Sequence, residues 1–558
     1  MTPDESLRQV FAYHEATKHH FHQYARGPHR MDWATQPDPF RRYDGARVVP
    51  LDHILPGDFP LYEQAFVEGQ LTPRPFDRAS VSQLFYDSLA LSAWKKAGEV
   101  TWSLRVNPSS GNLHPTEGYL VCGPVAGLCD RPMVAHYAPR EHALERRAAF
   151  SLETWKALAA GYSEEVLFVG LTSIHWREAW KYGERAFRYC QHDAGHAIAA
   201  VSLAAAGLGW KGVLLDGLPT DALADLLGVF DPRGAEPERP ECLLAVYPQR
   251  LESDNPSRGE WPEALLAGFR KLHWEGKPNV LSHGHTDWPI IDHVAEATRK
   301  PSTRSIYNVR KPIGKALEVG SAPISFRRII HQRRSAVALD GRTGITRNTF
   351  YQILLKTLPG PGQFPFNALP WMARVHLALF VHRVEGIDPG LYFLVRDPAR
   401  KEELRAALKK EFAWERPEGC PEPLELYRLQ TGDARSLSEQ VSCHQEIAAD
   451  GCFSLGMIAE FERSLEEFGA WFYPKLFWEC GAVGQVLYLE AEASGIRGTG
   501  IGCFFDDPVH AVLGFEDKKY QSLYHFTMGG PVEDPRLTTL PAYPDRETFL
   551  KSFLGLDR

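Results

Sequence analysis

A short polar segment between two prolines carries the side chains best suited to binding a ligand. It reads Arg105-Val106-Asn107-Pro108-Ser109-Ser110-Gly111-Asn112-Leu113-His114-Pro115. The prolines restrict the backbone, the glycine permits close approach, and the serine, asparagine and histidine side chains offer hydrogen bonds. This pattern is typical of a cradle for a polar, planar, phosphate-bearing ligand. Taken alone, it is more often an ordinary polar loop, so the rest of the chain must decide.

Two segments of the second half are also suited to an anionic ligand. A helix predicted from Phe326 ends at Arg333-Arg334-Ser335, which together would bind a phosphate bidentately. Downstream, the alternate glycines of Gly498-Thr499-Gly500-Ile501-Gly502 leave backbone amides open to a ligand. A solvated basic helix end and a glycine-rich strand edge are the alternatives.

Three other patterns have the wrong spacing for metal or dinucleotide binding. His14 and His19 lie one position too far apart for the HExxH arrangement, which needs both ligands on one helix face. The run 207–212 matches GxGxxG, but it ends a helix and precedes a strand, whereas a dinucleotide fingerprint opens a helix. His283, His285 and His293 match no common ligand set, which favours a solvated linker and no metal site.

Composition and charge describe an ordinary folded protein of more than one domain. The chain has 558 residues, 44% hydrophobic and 24% charged, and is too long for one typical core. A net charge of -8 provides no positive field for nucleic acid. No apolar segment suits a signal peptide or a membrane span, so we expect a cytoplasmic protein without a membrane partner. The nine cysteines, without a CxxC pair, indicate buried, reduced thiols.

Helix and strand patterns alternate around these segments. A helix is predicted over Arg78–Gly98, before the polar loop, and a buried strand over Gly118–Cys122, after it. A long helix runs from Trp180 to Gly207, and its small residues would let a second helix approach closely.

An internal repeat divides the chain. An offset of about 286 residues pairs Gly195 with Gly481, and it also aligns three further pairs: Leu203 with Leu489, Gly209 with Gly495, and Gly212 with Gly498. Slightly upstream, Ala179–Tyr182 aligns with Ala470–Tyr473. We therefore expect an α+β chain with an N-terminal extension (1–70), a first domain (71–250), a linker (251–305) and a second domain of the same fold (306–558).

Together these segments resemble the nitroreductase superfamily of flavin-dependent oxidoreductases, and within it the SagB-type dehydrogenase branch in a tandem, two-domain form. The matching pieces occur in family order: Tyr13 to His19, Asp32 to Tyr43, Arg105 to Pro115, Trp180 to His196, Arg333 to Ser335, Gly498 to Phe504 and Gly529 to Arg536. The resemblance implies an α+β fold that normally dimerises, with FMN bound in the dimer interface by both subunits. A monomer acting as an internal pseudo-dimer would fit it.

The resemblance also implies residue roles in FMN binding. The Arg-Arg-Ser motif would hold the phosphate, the Pro-Ser-Ser-x-Asn loop would touch the flavin, and the glycine-rich strand end would lie against the ring. The implied cofactor-binding residues are Arg105, Pro108, Ser109, Ser110, Asn112, Arg333, Arg334, Ser335, Gly500, Ile501, Gly502 and Arg536.

These parts are divided between the two domains. The first domain has Pro75–Ser80 where Arg-Arg-Ser is expected, and the second has Leu358–Pro365 where the flavin loop is expected. The chain thus holds one complete set of parts, which predicts one FMN per chain and a degenerate second site.

Catalytic residues are implied by the azoline-oxidising members of this branch, in which an adjacent Lys-Tyr pair takes part in proton abstraction. Lys181 and Tyr182 occupy that position, while Phe472 replaces the lysine in the second half. A lysine acts as a base only when burial or nearby cations lower its pKa, and Arg185 would contribute. The alternative is that Lys181 is a surface cation near a helix start. The expected substrate is an azoline ring or a related peptide or small molecule. Two alternatives stay open: an NAD(P)H-dependent nitro or quinone reductase, and a flavin-free scaffolding subunit of a peptide-modifying complex.

Overall fold

The computed structural model describes residues 1–162, 165–230, 236–249, 259–304, 324–360 and 362–543. We call the described residues up to 304 the first half and those from 324 the second half. The predicted domain limits at residues 250–251 and 305–306 lie outside the described residues.

The first half contains eight helices and eleven strands within its described ranges. The helices are α1 (Pro3–Ala16), α2 (Arg78–Tyr86), α3 (Leu152–Leu158), α4 (His175–Tyr182), α5 (Ala186–Gly207), α6 (Thr220–Leu227), α7 (Glu263–Ala267) and α8 (Pro289–Ala297). The strands are β1 (Tyr43–Asp44), β2 (Arg47–Pro50), β3 (Leu91–Ala97), β4 (Val100–Arg105), β5 (Thr116–Cys122), β6 (Met133–Ala138), β7 (Ala143–Ala149), β8 (Leu167–Ile174), β9 (Trp210–Leu214), β10 (Glu238–Pro248) and β11 (Lys277–Pro278).

The second half follows a similar plan. Its helices are α9 (Phe326–Gln332), α10 (Arg347–Lys356), α11 (Lys401–Ala407), α12 (Arg435–Val441), α13 (Ile447–Asp450), α14 (Phe461–Phe468), α15 (Tyr473–Ala493) and α16 (Asp506–Leu513). Its strands are β12 (Ile345–Thr346), β13 (Val375–Val381), β14 (Val384–Glu385), β15 (Gly390–Leu394), β16 (Leu426–Thr431), β17 (Phe453–Glu460), β18 (Arg497–Ile501), β19 (Tyr520–Gly529) and β20 (Thr538–Leu540).

Each half is built on one antiparallel sheet, and the two sheets share a strand order. The first sheet runs β2-β7-β6-β5-β8-β10-β9, and the second runs β16-β15-β13-β17-β19-β18. Six strands of the first sheet therefore match the whole of the second in order and connection. The predicted α+β class is confirmed.

The two halves meet through their long buried helices, α5 and α15. A Cβ atom added to Gly195 would lie 2.4 Å from the carbonyl oxygen of Trp478, and one added to Gly481 would lie 2.3 Å from that of His192. Both distances are shorter than any tolerated contact, so the backbones touch at these glycines. The close approach predicted from the small residues of the first helix is present, and its partner is the helix at the predicted offset.

Replacing Gly195 by alanine is therefore expected to force the two halves apart. The added methyl group would meet the Trp478 backbone, and overpacking of this kind costs about 1–3 kcal/mol. Thermal unfolding of the purified variant measures the loss of stability. Gly57→Ala is the matched control, because a Cβ atom there meets no atom within 4 Å. Equal stability of G195A and the wild type would contradict the close helix crossing.

The N-terminal extension is joined to both halves by a buried ionic cluster. The Asp506 carboxylate accepts hydrogen bonds from Arg185 (3.0 Å), from Arg188 (2.7 Å) and from the His19 backbone amide (3.0 Å). Arg185 also donates to the Thr17 carbonyl oxygen at 2.6 Å. Burial and the cation of Arg185 lower the pKa of His19 to about 3, which keeps its imidazole neutral. The histidine-rich extension is thus packed on both halves of the chain.

Two expectations about local structure were wrong. The helix predicted over Arg78–Gly98 ends at Tyr86, and Leu91–Ala97 is a strand, because it pairs with β4 on one side and with β20 on the other. The region expected to be a solvated linker is packed over residues 259–304: Ile291 and Val294 of α8 are buried, and α8 contacts α1. Tertiary packing overrides the local apolar pattern in the first case and the local polar composition in the second.

Candidate functional site

A cavity of about 430 Å³ lies between the two halves, in the size range of small-molecule sites. Most of the predicted cofactor-binding residues line it: Arg105, Pro108, Ser109, Ser110 and Asn112 from the first half, and Arg333, Arg334, Ser335, Gly500, Ile501 and Gly502 from the second. Tyr182 also lines it. Residues more than 200 positions apart in the chain thus face one space.

The middle of the polar loop is held in place by hydrogen bonds to neighbouring elements. Asp193 of α5 accepts from the Ser110 backbone amide and from the Ser110 hydroxyl, each at 2.9 Å. The Asn112 side chain donates to the Ser103 carbonyl oxygen at 2.9 Å. Gly111 has a φ of 59°, which suits glycine, and this turn points the loop into the cavity.

Arg105 has a structural role in this loop. Its guanidinium is buried and donates to the carbonyl oxygens of Thr116 (3.2 Å) and Pro39 (2.5 Å). Burial lowers its pKa to about 10. Two of its N–H donors therefore bind backbone carbonyl oxygens, and the side chain stabilises the loop through these bonds.

The predicted catalytic pair lies directly against the loop. A Cβ atom added to Gly111 would lie 2.5 Å from the Tyr182 hydroxyl oxygen and 3.1 Å from Lys181 Nζ. Burial raises the pKa of Tyr182 well above its ordinary value, so its phenol stays protonated. Lys181 is exposed, and the neighbouring Arg185 is already paired with Asp506 at 3.0 Å. The burial that we expected to prepare Lys181 as a base is absent.

The cavity wall around the basic motif is cationic. Arg333 is buried, Arg334 is half-buried, and Lys95 of β3 also lines the cavity. Within the described part of the chain, neither arginine guanidinium forms an ion pair with a carboxylate. Burial, followed by the charge of Arg333, lowers the pKa of Arg334 to about 10. Buried cations without a carboxylate partner are costly, so this part of the cavity favours an anionic ligand.

The two arginines are oriented by different bonds. Arg333 donates to the carbonyl oxygens of Arg105 (3.0 Å) and Val106 (3.2 Å), which joins the second half to the polar loop. Arg334 donates to the carbonyl oxygens of His331 (2.8 Å) and Arg333 (2.6 Å) and lies near Ser92. Arg333 therefore positions the loop as well as contributing charge.

The glycine strand and the serine of the basic motif share one tyrosine. The Tyr488 hydroxyl lies 3.0 Å from the Ser335 hydroxyl and accepts from the Gly500 backbone amide at 2.9 Å. That amide is therefore not open to a ligand, contrary to the expectation from the alternate glycines. Glycine is needed here for a different reason: a Cβ atom on Gly500 would lie 1.9 Å from the Tyr524 hydroxyl oxygen, and one on Gly502 would lie 2.0 Å from the Tyr189 ring.

Arg536 does not line the cavity. Its side chain is 85% exposed and pairs with Asp534 at 2.7 Å. Its motif follows the buried strand β19, and Pro531–Asp534 line the cavity, but the arginine side chain itself lies at the surface.

Several cavity residues were not found from the sequence: Lys95, Tyr189, Asp193, His196, Tyr488 and Tyr524. Four of them lie on α5 and α15, whose sequences predicted only a close helix–helix contact. A buried aspartate in an alanine-rich helix was the one available signal, since carboxylates are seldom fully buried without a role.

The raised pKa of Asp193 makes the stability of the folded chain depend on pH. Burial raises its pKa from 3.8 to about 7, so the folded chain keeps a proton that the unfolded chain has lost between these values. Stability is therefore expected to fall as pH rises from about 4 to about 7, by roughly 2–4 kcal/mol. Asp193→Asn keeps an acceptor for Ser110 and should remove this slope, as measured by urea unfolding across the range. Asp4→Asn, at the exposed start of α1, should keep it; an unchanged slope in D193N would contradict the assignment.

Residues 71–246 match the model of the nitroreductase family. The match covers less than half of the chain, and this segment is similar to the nitroreductase family. The matched residues include the polar loop, the Lys181–Tyr182 pair and α5. The basic motif and the glycine strand lie outside the matched residues.

Comparison with solved structures extends the likeness to both halves. A protein from Anabaena variabilis described as a nitroreductase is 22% identical, covers 94% of this chain and 99% of its own, and has a TM-score of 0.67. The two proteins share the nitroreductase-like fold. The Escherichia coli microcin synthetase McbBCD complex (19% identity, 36% of this chain, 70% of that chain, TM-score 0.26) and the NADPH:FMN oxidoreductase of Vibrio harveyi (14%, 37%, 69%, 0.22) match shorter parts.

Two further results complete the comparison. No curated protein matches the chain in sequence. None of the helices in the described ranges combines the length and apolar character that a membrane span requires.

Proposed function

We propose that the protein is an FMN-dependent oxidoreductase of the SagB-type branch, in tandem form, which binds one flavin between its two halves. The observation that carries the proposal is one cavity lined both by the basic motif of the second half and by the polar loop of the first half. Arg333, Arg334 and Ser335 suit a phosphate, and Pro108–Asn112 would face the flavin ring.

The residues fit FMN in charge as well as in shape. Two arginines without a carboxylate partner face the cavity, and an anionic phosphate would compensate them. The tyrosines of α5, α15 and β19 that line the cavity add planar apolar surface. When bound, FMN would supply the redox chemistry by accepting a hydride.

The chain's own residues would bind and orient the reactants. Arg333 and Asp193 hold the loop by hydrogen bonds to its backbone, so the loop is rigid before any ligand binds. Tyr182 keeps its proton and would donate a hydrogen bond at the loop. Lys181 is exposed in the structure, so it would accept a proton from the substrate only after the bound flavin and substrate cover it. The proposed substrate is an azoline ring or a related peptide or small molecule.

The position of the expected second site supports a single flavin. The described residues of 358–365 pack against the N-terminal extension: the Glu68 amide donates to the Gly362 carbonyl oxygen (2.8 Å), and the Phe364 amide donates to the Phe66 carbonyl oxygen (3.1 Å). Phe364 is fully buried. The segment that would correspond to a second flavin loop is therefore packed against the N-terminal extension.

Flavin stoichiometry tests the proposal. The full-length protein is saturated with FMN, freed of excess by gel filtration, and assayed for flavin and protein. We expect one FMN per chain. Two per chain would overturn the degenerate second site, and none would favour the scaffolding alternative. Rapid bleaching of the bound flavin by NADPH would favour the nitro or quinone reductase alternative.

A further inference from the structure

Two cysteines from separate loops meet at the wall of the cavity. Cys443 lies between α12 and α13, Cys503 follows β18, and their Sγ atoms are 2.7 Å apart. Both side chains are partly accessible, and Cys503 lines the cavity. The chain offers a comparison in Cys122 and Cys129, whose Sγ atoms are 3.8 Å apart and distant from the cavity. We call these the 443/503 pair and the 122/129 pair.

The 443/503 pair is held together by the surrounding backbone. The Phe505 amide donates to the Val441 carbonyl oxygen at 2.8 Å, which joins the two loops beside the sulfur atoms. The Gln445 side chain donates to the carbonyl oxygens of Ser442 (2.8 Å) and Cys503 (2.9 Å) and so bridges the same loops. The two thiols therefore stay within bonding reach without a large movement.

The surroundings make the two thiols chemically unequal. The pKa of Cys503 is lowered by its hydrogen bond with Cys443 and by the cation of Arg185, which also donates to the Gly502 carbonyl oxygen at 3.2 Å. The pKa of Cys443 is raised by the same hydrogen bond and by burial. The thiolate is the nucleophilic form, so Cys503 is the attacking sulfur and Cys443 the resolving one.

We infer that Cys443 and Cys503 form a redox-active dithiol on the cavity wall, which exchanges with small disulfides and closes to an intramolecular disulfide. In the first step Cys503 sulfur attacks one sulfur of a small disulfide, whose S–S bond breaks and releases one thiol. In the second step Cys443 sulfur attacks Cys503 sulfur and displaces the second thiol. The pair loses two electrons and two protons, and the small disulfide gains them as two thiols. This activity requires no bound flavin.

Thiol mapping of the wild-type protein is the direct test. The full-length protein is equilibrated with 2-hydroxyethyl disulfide and 2-mercaptoethanol at varied ratios, quenched in acid, alkylated and digested for mass spectrometry. We expect a Cys443–Cys503 cross-link that appears as the disulfide fraction rises and disappears when the thiol is restored. Persistent alkylation of both cysteines at every ratio would overturn the proposal, and so would oxidation of the 122/129 pair before them.

Two variants test the order of the steps. Cys443→Ser should trap the small thiol on Cys503, because no resolving sulfur remains. Cys503→Ser should form the corresponding adduct on Cys443 about tenfold more slowly, because that thiol is less ionised. Circular dichroism checks that both variants are folded. If either variant is unfolded, thiol mapping of the wild-type protein still tests the proposal. Faster modification of Cys443 than of Cys503 would overturn the assigned roles.

Discussion

Replacing Arg334 by alanine is expected to weaken FMN binding by roughly 10- to 100-fold while leaving riboflavin binding almost unchanged. A hydrogen bond to a charged group contributes about 1.5–3 kcal/mol, and riboflavin lacks the phosphate that would accept it. The Arg334 guanidinium has no carboxylate partner within the described ranges, so its removal leaves no buried charge unpaired. Fluorescence titration of both flavins against the apoprotein measures the two affinities.

Two matched variants sharpen this prediction. Arg536→Ala removes an arginine that is exposed and paired with Asp534, so it should bind both flavins as the wild type does. Arg333→Ala should weaken both flavins, since its guanidinium also holds the Arg105 and Val106 carbonyl oxygens of the loop. Equal losses of FMN and riboflavin affinity in R334A would exclude a phosphate contact by that residue.

Replacing Lys181 by alanine is expected to leave FMN bound and to lower turnover by about 100-fold or more, the usual loss for a general base. Lys181 Nζ lies near the loop at Gly111, and no described residue forms an ion pair with it. Steady-state oxidation of a synthetic thiazoline-containing peptide gives kcat and KM separately. A proton-transfer role lowers kcat, whereas a binding role raises KM.

The choice of substituent separates proton transfer from charge. Lys181→Arg keeps the positive charge but cannot lose its proton, so it should be as slow as the alanine variant if Lys181 is the base. Activity retained in K181R would assign only an electrostatic role. Lys519→Ala, an exposed lysine paired with Asp517, controls for loss of surface charge. Tyr182→Phe should also lower kcat, because the buried phenol is the protonated group beside the loop.

Much of the fold could be predicted from periodicity and repetition. The offset that pairs Gly195 with Gly481 depends only on residue identity, and glycine at these positions is required because the helix backbones touch there. The segment Arg78–Gly98 was mistaken for one helix because its apolar residues suit either period. Pairing with β4 and with β20, which comes from the far end of the chain, makes Leu91–Ala97 a strand.

The sequence by itself determined which segments carry binding chemistry, since the residue types of the polar loop and of Arg333–Ser335 are local properties of the chain. Only the tertiary structure decided what each side chain does. It commits Arg105 and Arg333 to backbone carbonyl oxygens, leaves Lys181 and Arg536 exposed, and brings in Asp193 and Tyr488. The reason is physical: burial, pKa and hydrogen-bond partners depend on which distant segments pack around a residue, and local spacing does not record that packing.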